Sequence, residues 1–221
     1  VATSGSEGEQ HLVRLTPANI EASVLASRIR LKNDATDRWL LCMPLNHVAG
    51  LSVLWRSLEA GGSVAMAQFD IRPPRFMRSS PPPLSSLFPP LFFLFLLSSP
   101  DEMAFLGLPP LGGARTPPEL LESAHAAGVT LVRSYGSTET TSQVATGEPG
   151  GDPFAPHVGR PLDVFDVTMV GGGGAPVQQG SMGVITVSGH VVSPGYLGEP
   201  DRTGPLVTGD LGSIDHSGRL T

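Results

Sequence analysis

Two short stretches hold side chains whose types and spacing suit phosphate and metal chemistry. The first, Thr3-Ser4-Gly5-Ser6-Glu7-Gly8, sets hydroxyls between glycines. Such a loop turns backbone N–H groups into a concave nest for phosphate oxygens, and the hydroxyls add further donors. It is not a Walker A sequence, because no Gly-Lys-Ser/Thr follows. The second is Ser134-Tyr135-Gly136-Ser137-Thr138-Glu139-Thr140. A tyrosine can stack on a base, a threonine hydroxyl can bind phosphate, and a glutamate can hold Mg2+.

These stretches need elements to hold them. Leu12-Val13-Arg14-Leu15 alternates as a short strand does, and Thr16-Pro17 then opens a helix with Thr16 as N-cap. That helix carries Ile20, Val24, Leu25 and Ile29 at helical spacing, an apolar stripe expected to face the core. Trp39 to Met43 is a continuous apolar run, as in a strand buried on both faces. A helix over about 50–58 and a second buried strand at 63–67 complete a βαβ unit, which implies a parallel sheet. Further on, a helix from Pro117 to Ala127 with Gly128 as its stop precedes a strand at 129–133, ending at Ser134-Tyr135-Gly136. From Val158 the pattern changes to short alternating runs divided by Gly, Pro and Asp: 164–170, 183–188, 206–207 and 212–214. The run Gly171 to Gly174 lies between strands and reads as a hairpin turn rather than a cofactor loop. The reading is therefore α/β, with a layered βαβ part over 1–157 and a small β subdomain over 158–221. Residues 71–100 fit neither: rich in Pro, Ser, Leu and Phe, they show no helical or strand period, as an altered reading frame between two intact stretches would produce.

Bulk properties exclude several classes. A formal net charge of -6 and the lack of any basic stripe argue against a nucleic-acid partner. The apolar run 91–97 is far shorter than the roughly 20 residues of a membrane span. Cys42 is the single cysteine, which points to a reducing cytoplasm, and its apolar neighbours mark it as a core residue rather than a nucleophile. Lys32 is the only lysine. The chain opens at Val1-Ala2-Thr3, as at a processed end or inside something larger.

The two chemical stretches, in this order and followed by Thr208-Gly209-Asp210-Leu211-Gly212, resemble the adenylate-forming (AMP-binding) acyl-CoA synthetase superfamily. Pro44-Leu45-Asn46-His47-Val48-Ala49-Gly50-Leu51-Ser52 and Thr141-Ser142-Gln143-Val144 are most similar to o-succinylbenzoate–CoA ligases of menaquinone synthesis. Val158-Gly159-Arg160-Pro161-Leu162 and Ser193-Pro194-Gly195-Tyr196 match the family more generally. The resemblance covers 3–70 and 111–221 and fails over 71–100. It implies part of the large N-terminal domain of such an enzyme, with an upstream part and a C-terminal lid domain expected outside these residues. It also implies a reaction in which a carboxylic acid is activated by ATP with Mg2+ and passed to CoA. By that resemblance Ser4, Gly5, Ser6 and Gly8 line the triphosphate, and Gly112 and Gly113 admit the nucleotide and acyl group close to the backbone. Tyr135, with Gly136, stacks on adenine, Thr138 contacts the α-phosphate, Glu139 holds the metal and Asp210 the ribose hydroxyls, while His47 borders the acyl pocket. Taken singly, His47 reads as a packed histidine and Asp210 as a turn residue; the ordered set gives them their roles.

The chain also departs from the pattern. Glu7 stands where the family has threonine, His11 where it has lysine, and Val184 where glutamate is common. A carboxylate about 5 Å from a triphosphate charge, at an effective dielectric near 20, costs roughly 3 kcal/mol, or about a hundredfold in affinity. An imidazole near neutral pH is a weaker cation than an ammonium group. The family's catalytic lysine belongs to the lid, and Lys32 falls outside every motif. Two expectations follow: a ligase of reduced activity, or a non-catalytic remnant that binds a nucleotide weakly or a partner protein.

Overall fold

The computed structural model describes residues 1–3, 11–66 and 110–221. The expectations for Ser4, Gly5, Ser6, Glu7 and Gly8 and for 71–100 lie outside the described residues.

Strand β1 (Val13–Arg14) leads into helix α1 (Pro17–Leu31), which starts where its capping residues place it. The Thr16 hydroxyl accepts the Asn19 backbone N–H at 3.1 Å, and the Asn19 side-chain oxygen accepts the Thr16 N–H at 2.9 Å. This reciprocal box satisfies donors that a bare helix end leaves open. The buried face differs from the apolar stripe expected. Val24 is buried, but Leu25 is 48 % exposed and Ile29 67 %. The helix instead turns Asn19, Ser23, Ser27 and Arg30 toward the rest of the protein, spaced four, four and three apart and so on one face. Asn19 Nδ2 donates to the His190 carbonyl at 2.7 Å, and Ser23 Oγ to the Thr141 carbonyl at 2.8 Å. Ser27 Oγ donates to Gln143 Oε1 at 2.7 Å and Arg30 to the Thr146 carbonyl at 2.6 Å. Each polar group meets a partner, which removes the penalty that otherwise keeps such residues outside.

Strands β2 (Arg38–Leu41) and β3 (Ser63–Met66) pair in parallel across helix α2 (Val48–Ala60), the βαβ unit read from the sequence, although β3 is half-buried at its centre and exposed at both ends rather than buried. Trp39, Leu41 and Val53 of this unit pack with Leu31 and Val132 in one apolar cluster. Cys42 is buried just past β2, 4 % exposed. A second parallel pair joins β4 (Pro110–Leu111) to β5 (Val132–Ser137) across α3 (Pro118–Ala126). There β5 begins later than expected and runs on to Ser137, because β6 (Ser142–Thr146) folds back beside it and continues the ladder in antiparallel sense. β7 (Arg160–Pro161) completes the sheet in the order β4-β5-β6-β7.

Past residue 158 every described element is a strand. β8 (Asp166–Val170), β9 (Gly183–Ser188) and β11 (Leu206–Gly212) form an antiparallel sheet, while β10 (Gly195–Tyr196) pairs with β1. Gly171–Gly174 closes a turn through the Gly174 N–H and the Gly171 carbonyl at 2.9 Å. The run expected at 206–207 extends to Gly212 as one strand, β11, with a register shift between Val207 and Leu211, while Ile214 of the run expected at 212–214 makes only an isolated bridge to Leu220. The main core crosses residue 158, since Ala26, Val144 and Ala145 pack with Leu162, Phe165, Met169, Ile185, Val187, Val191 and Leu220. The change at 158 is thus one of element type, over a shared core.

Candidate nucleotide site

The chemical residues gather at two irregularities in the sheets. Tyr135 and Gly136 sit within β5, where the register against β6 shifts between them. Thr208-Gly209-Asp210 forms the shift in β11, with Gly209 at φ +82°. A bulge bends a strand and re-aims a side chain out of the regular alternation. At these two bulges the Tyr135 hydroxyl donates to Asp210 Oδ2 at 2.7 Å, linking residues 75 apart in sequence. Gly136 is required by the close approach of β6: a methyl there would overlap the Ser142 carbonyl oxygen.

Thr138 and Glu139 occupy the tip of the β5–β6 hairpin, closed by the Thr141 N–H to the Thr138 carbonyl at 3.1 Å. Two non-glycine residues beside this turn have positive φ, Thr141 at 54° and Ser142 at 106°. Backbone in such regions costs about 1–3 kcal/mol per residue unless its surroundings hold it. They do so here. The Thr141 carbonyl accepts Ser23 Oγ, its hydroxyl donates to the Val191 carbonyl at 2.7 Å, and Arg56 from α2 reaches Ser142 Oγ at 3.1 Å and Gln143 Oε1 at 2.9 Å. Arg56 is buried, its guanidinium 5.5 Å from the centre of the Trp39 ring, and burial pushes its pKa down to about 10. Thr141-Ser142-Gln143 therefore serves as the anchored base of the hairpin. Neither that role nor Arg56 was found from the sequence, which shows no periodic signal for a buried cation.

Glu139 is held as well. Its Oε1 accepts the Tyr196 hydroxyl at 3.0 Å, and its backbone carbonyl accepts the Ser193 N–H at 2.7 Å. The chain has only two tyrosines, and each donates to one of the two predicted site carboxylates. Burial first, then Asp210 and Glu139, raise the Tyr135 phenol above its ordinary pKa; burial and the Glu139 charge push Tyr196 up to about 12. Both phenols stay protonated near neutrality and so remain donors.

Gly112 and Gly113 leave the end of β4 next to β5, with Gly112 facing the Ser134 carbonyl closely enough that a methyl would lie 3.1 Å from it. Gly113 has φ +80°, and a methyl there would meet nothing within 4 Å among the described residues. The two glycines follow β4, and Tyr135 lies in β5 beyond the Val132 and Arg133 positions that pair with β4 in parallel, on the carboxyl side where open α/β sheets bind ligands. Thr3, the last described residue before 4–10, donates its N–H to the His11 carbonyl at 2.9 Å and accepts the His11 N–H at Oγ1 at 3.1 Å. His47 joins neither tyrosine–carboxylate pair; it is the N-cap of α2, without a side-chain cap bond. Lys32 ends α1 as its C-cap, the opposite end from Asn19, roughly 20 Å along a helix of this length. A cavity of about 650 Å3 opens at the start of β5, lined by Arg133, Asp152, His157, Arg160, Asp215 and Arg219 among others, and contains none of the predicted residues.

The donor set fits a Mg2+ ion brought with phosphate. Among the described residues no group of three His, Cys, Asp or Glu side chains forms a cage. Glu139 offers its second oxygen, and Mg2+ commonly takes one or two carboxylates, completing its shell with phosphate and water.

The profile of the AMP-binding enzyme family matches residues 2–197. The chain belongs to the AMP-binding enzyme family. The 2-succinylbenzoate–CoA ligase of Bacillus licheniformis is 32% identical over 234 residues, covering 99% of this chain and 47% of that protein. The corresponding ligase of Bacillus mycoides is 31% identical over 244 residues, covering 100% of this chain and 48% of its own length. The chain thus spans about half the length of the curated relatives it matches. Among solved structures, o-succinylbenzoate CoA synthetase from Bacillus subtilis in complex with the acyl-adenylate intermediate superposes with TM-score 0.87 at 28% identity, covering 100% of this chain and 47% of that one. The same enzyme with ATP and magnesium gives TM-score 0.84 at 28% identity, covering 100% and 48%. The α/β fold expected from the resemblance is the observed one. Among the described residues no helix is long and apolar enough to cross a membrane.

Proposed function

We propose that this AMP-binding family member carries the nucleotide-binding face of an ATP-dependent acid–CoA ligase, of the o-succinylbenzoate type used in menaquinone biosynthesis. The observation that carries the reading is the Tyr135–Asp210 hydrogen bond, which joins two separate motifs at a pair of bulges. The relatives that act on 2-succinylbenzoate support the substrate class. A reducing cytoplasm suits a chain whose one cysteine is buried.

In the first step a carboxylate oxygen of the acid attacks the α-phosphorus of ATP, and the bond to pyrophosphate breaks. In the second the CoA sulfur attacks the acyl carbonyl, AMP leaves, and the thiol proton passes to solvent. The Tyr135 ring offers a face to adenine, and Asp210, held at Oδ2, leaves Oδ1 for ribose hydroxyls. The Thr138 hydroxyl donates to the α-phosphate, with Ser4, Gly5, Ser6 and Gly8 around the remaining phosphates. Gly112 and Gly113 let the nucleotide and acyl group lie against the backbone, and His47 borders the acyl side. Glu139 would hold Mg2+, which when bound neutralises phosphate charge. Such positioning and charge compensation supply most of the catalysis in phosphate transfer.

Glu7 and His11 favour low turnover by this chain, and they equally support a second reading, a remnant that binds nucleotide without reacting. Calorimetric titration with Mg-ATP and an assay of pyrophosphate release separate the two. Weak binding lost in Asp210→Ala and tightened in Glu7→Thr supports the nucleotide site. Unchanged affinity in Glu7→Thr with loss in Asp210→Ala removes the phosphate-loop assignment and leaves the ribose site. Pyrophosphate release and thioester formation at a rate typical of the relatives would sink the remnant reading.

A further inference from the structure

Tyr196 belongs to none of the three chemical stretches, yet it bonds to one of them and lies beside His11, which pairs with Thr3 of another. Its hydroxyl donates to Glu139 Oε1 at 3.0 Å. Its strand β10 pairs antiparallel with β1, Val13 opposite Tyr196, and the Leu197 N–H donates to the Leu12 carbonyl at 2.7 Å. The same arm carries His11, whose ring centre lies 5.0 Å from that of Tyr196, and which pairs through its backbone with Thr3. The turn before β10 is fixed independently. Ser193 Oγ donates to the Arg14 carbonyl at 2.7 Å, and Arg14 pairs with Asp201 at 2.8 Å. One side chain, on a braced strand, thus bonds the Glu139 carboxylate and lies beside His11, which pairs with Thr3.

We propose that Tyr196 is a positioning residue for Glu139: its hydroxyl, on a strand braced by the β1–β10 pair, holds one carboxylate oxygen and leaves the other for the metal ion of a bound nucleotide. The inference rests on the reading of Glu139 as metal ligand. Its physical basis is general. A carboxylate free to rotate must be ordered when it binds a metal, whereas one held by an outer hydrogen bond is ordered already, and losing such a partner typically weakens metal affinity about 10–100-fold.

Tyr196→Phe deletes the hydroxyl and keeps the ring against His11. The test is calorimetry of ATP binding across a Mg2+ series for the chain, Tyr196→Phe and Glu139→Gln, with AMP binding in the absence of metal as the second readout. The expected result is that Tyr196→Phe raises the Mg2+ concentration for half-maximal ATP binding about tenfold. It should leave metal-free AMP binding unchanged, and Glu139→Gln should shift the Mg2+ dependence at least as far. An unshifted Tyr196→Phe beside a shifted Glu139→Gln overturns this inference alone. An equal loss of AMP and ATP binding in Tyr196→Phe also overturns it, since the hydroxyl would then act on the fold. No shift in Glu139→Gln removes the metal assignment itself, and absence of nucleotide binding by the unaltered chain removes both readings.

Discussion

The contact between α1 and β6 and the sheet β8-β9-β11 are both buried, and they are held by different means. In the sheet, Met169, Ile185 and Val187 point inward at alternate positions and meet other apolar groups. Along α1 Ala26 joins the apolar cluster with Val144 and Ala145, and Asn19, Ser23 and Ser27 add a series of hydrogen bonds to the chain around Thr141, Gln143 and His190. Apolar burial is nondirectional and tolerates small displacements. Hydrogen bonds are directional and expensive to leave unmade. The directional contact lies behind the strained Thr141-Ser142 turn that carries Thr138 and Glu139, and the nondirectional one forms the platform behind Asp210. The difference teaches that this protein spends its specific interactions where backbone geometry must be held in an unfavourable state.

Denaturant unfolding of substituted chains can break or sharpen that contrast. The largest loss belongs to Gly136→Ala, about 3 kcal/mol or more, because the added methyl meets backbone rather than a side chain that can move. Ile185→Ala should cost about 3 kcal/mol by removing buried apolar volume, and it should leave the Glu139 hairpin in place. Arg56→Met should cost about 2 kcal/mol through the lost partners of Ser142 and Gln143. Unlike Ile185→Ala, it should increase amide exchange across 138–143; equal exchange in both variants would erase the distinction. Ser27→Ala should cost about 1 kcal/mol, leaving Gln143 Oε1 with the Arg56 contact. Smallest of all, Leu25→Gln and Ile29→Gln should each change stability by less than about 0.5 kcal/mol. A loss above about 2 kcal/mol at either would show that the apolar stripe of α1 is buried in solution.

The last pair marks where sequence reading fell short. Of the four residues that carry the periodic signal for the inner face of α1, Val24 is buried and Ile20 half-buried, while Leu25 and Ile29 face out. Periodicity weighs apolar side chains and gives no credit to a serine whose partner is a carbonyl more than a hundred residues away. Ser23 and Ser27 have partners only because β6 lies alongside. The strand ending at Tyr135-Gly136 was likewise cut short, since its last residues are extended by pairing with β6 rather than by local propensity. Local signals fared better. Thr16 with Pro17 marked the start of α1, the run from Trp39 a buried strand, and Gly171–Gly174 a turn, because each depends on neighbours within a few residues.

The sequence by itself determined the family of the chain, the βαβ order, the α/β class and a set of candidate residues for a nucleotide. Those are properties of local pattern and of residue type in a fixed order. Only the tertiary structure decided that Tyr135 meets Asp210, that Tyr196 holds Glu139, and that a buried arginine anchors the turn between them. Each of those contacts joins residues 57 to 86 positions apart. Their strength depends on distances set by strand pairing and bulges, and neither can be counted along one stretch of chain.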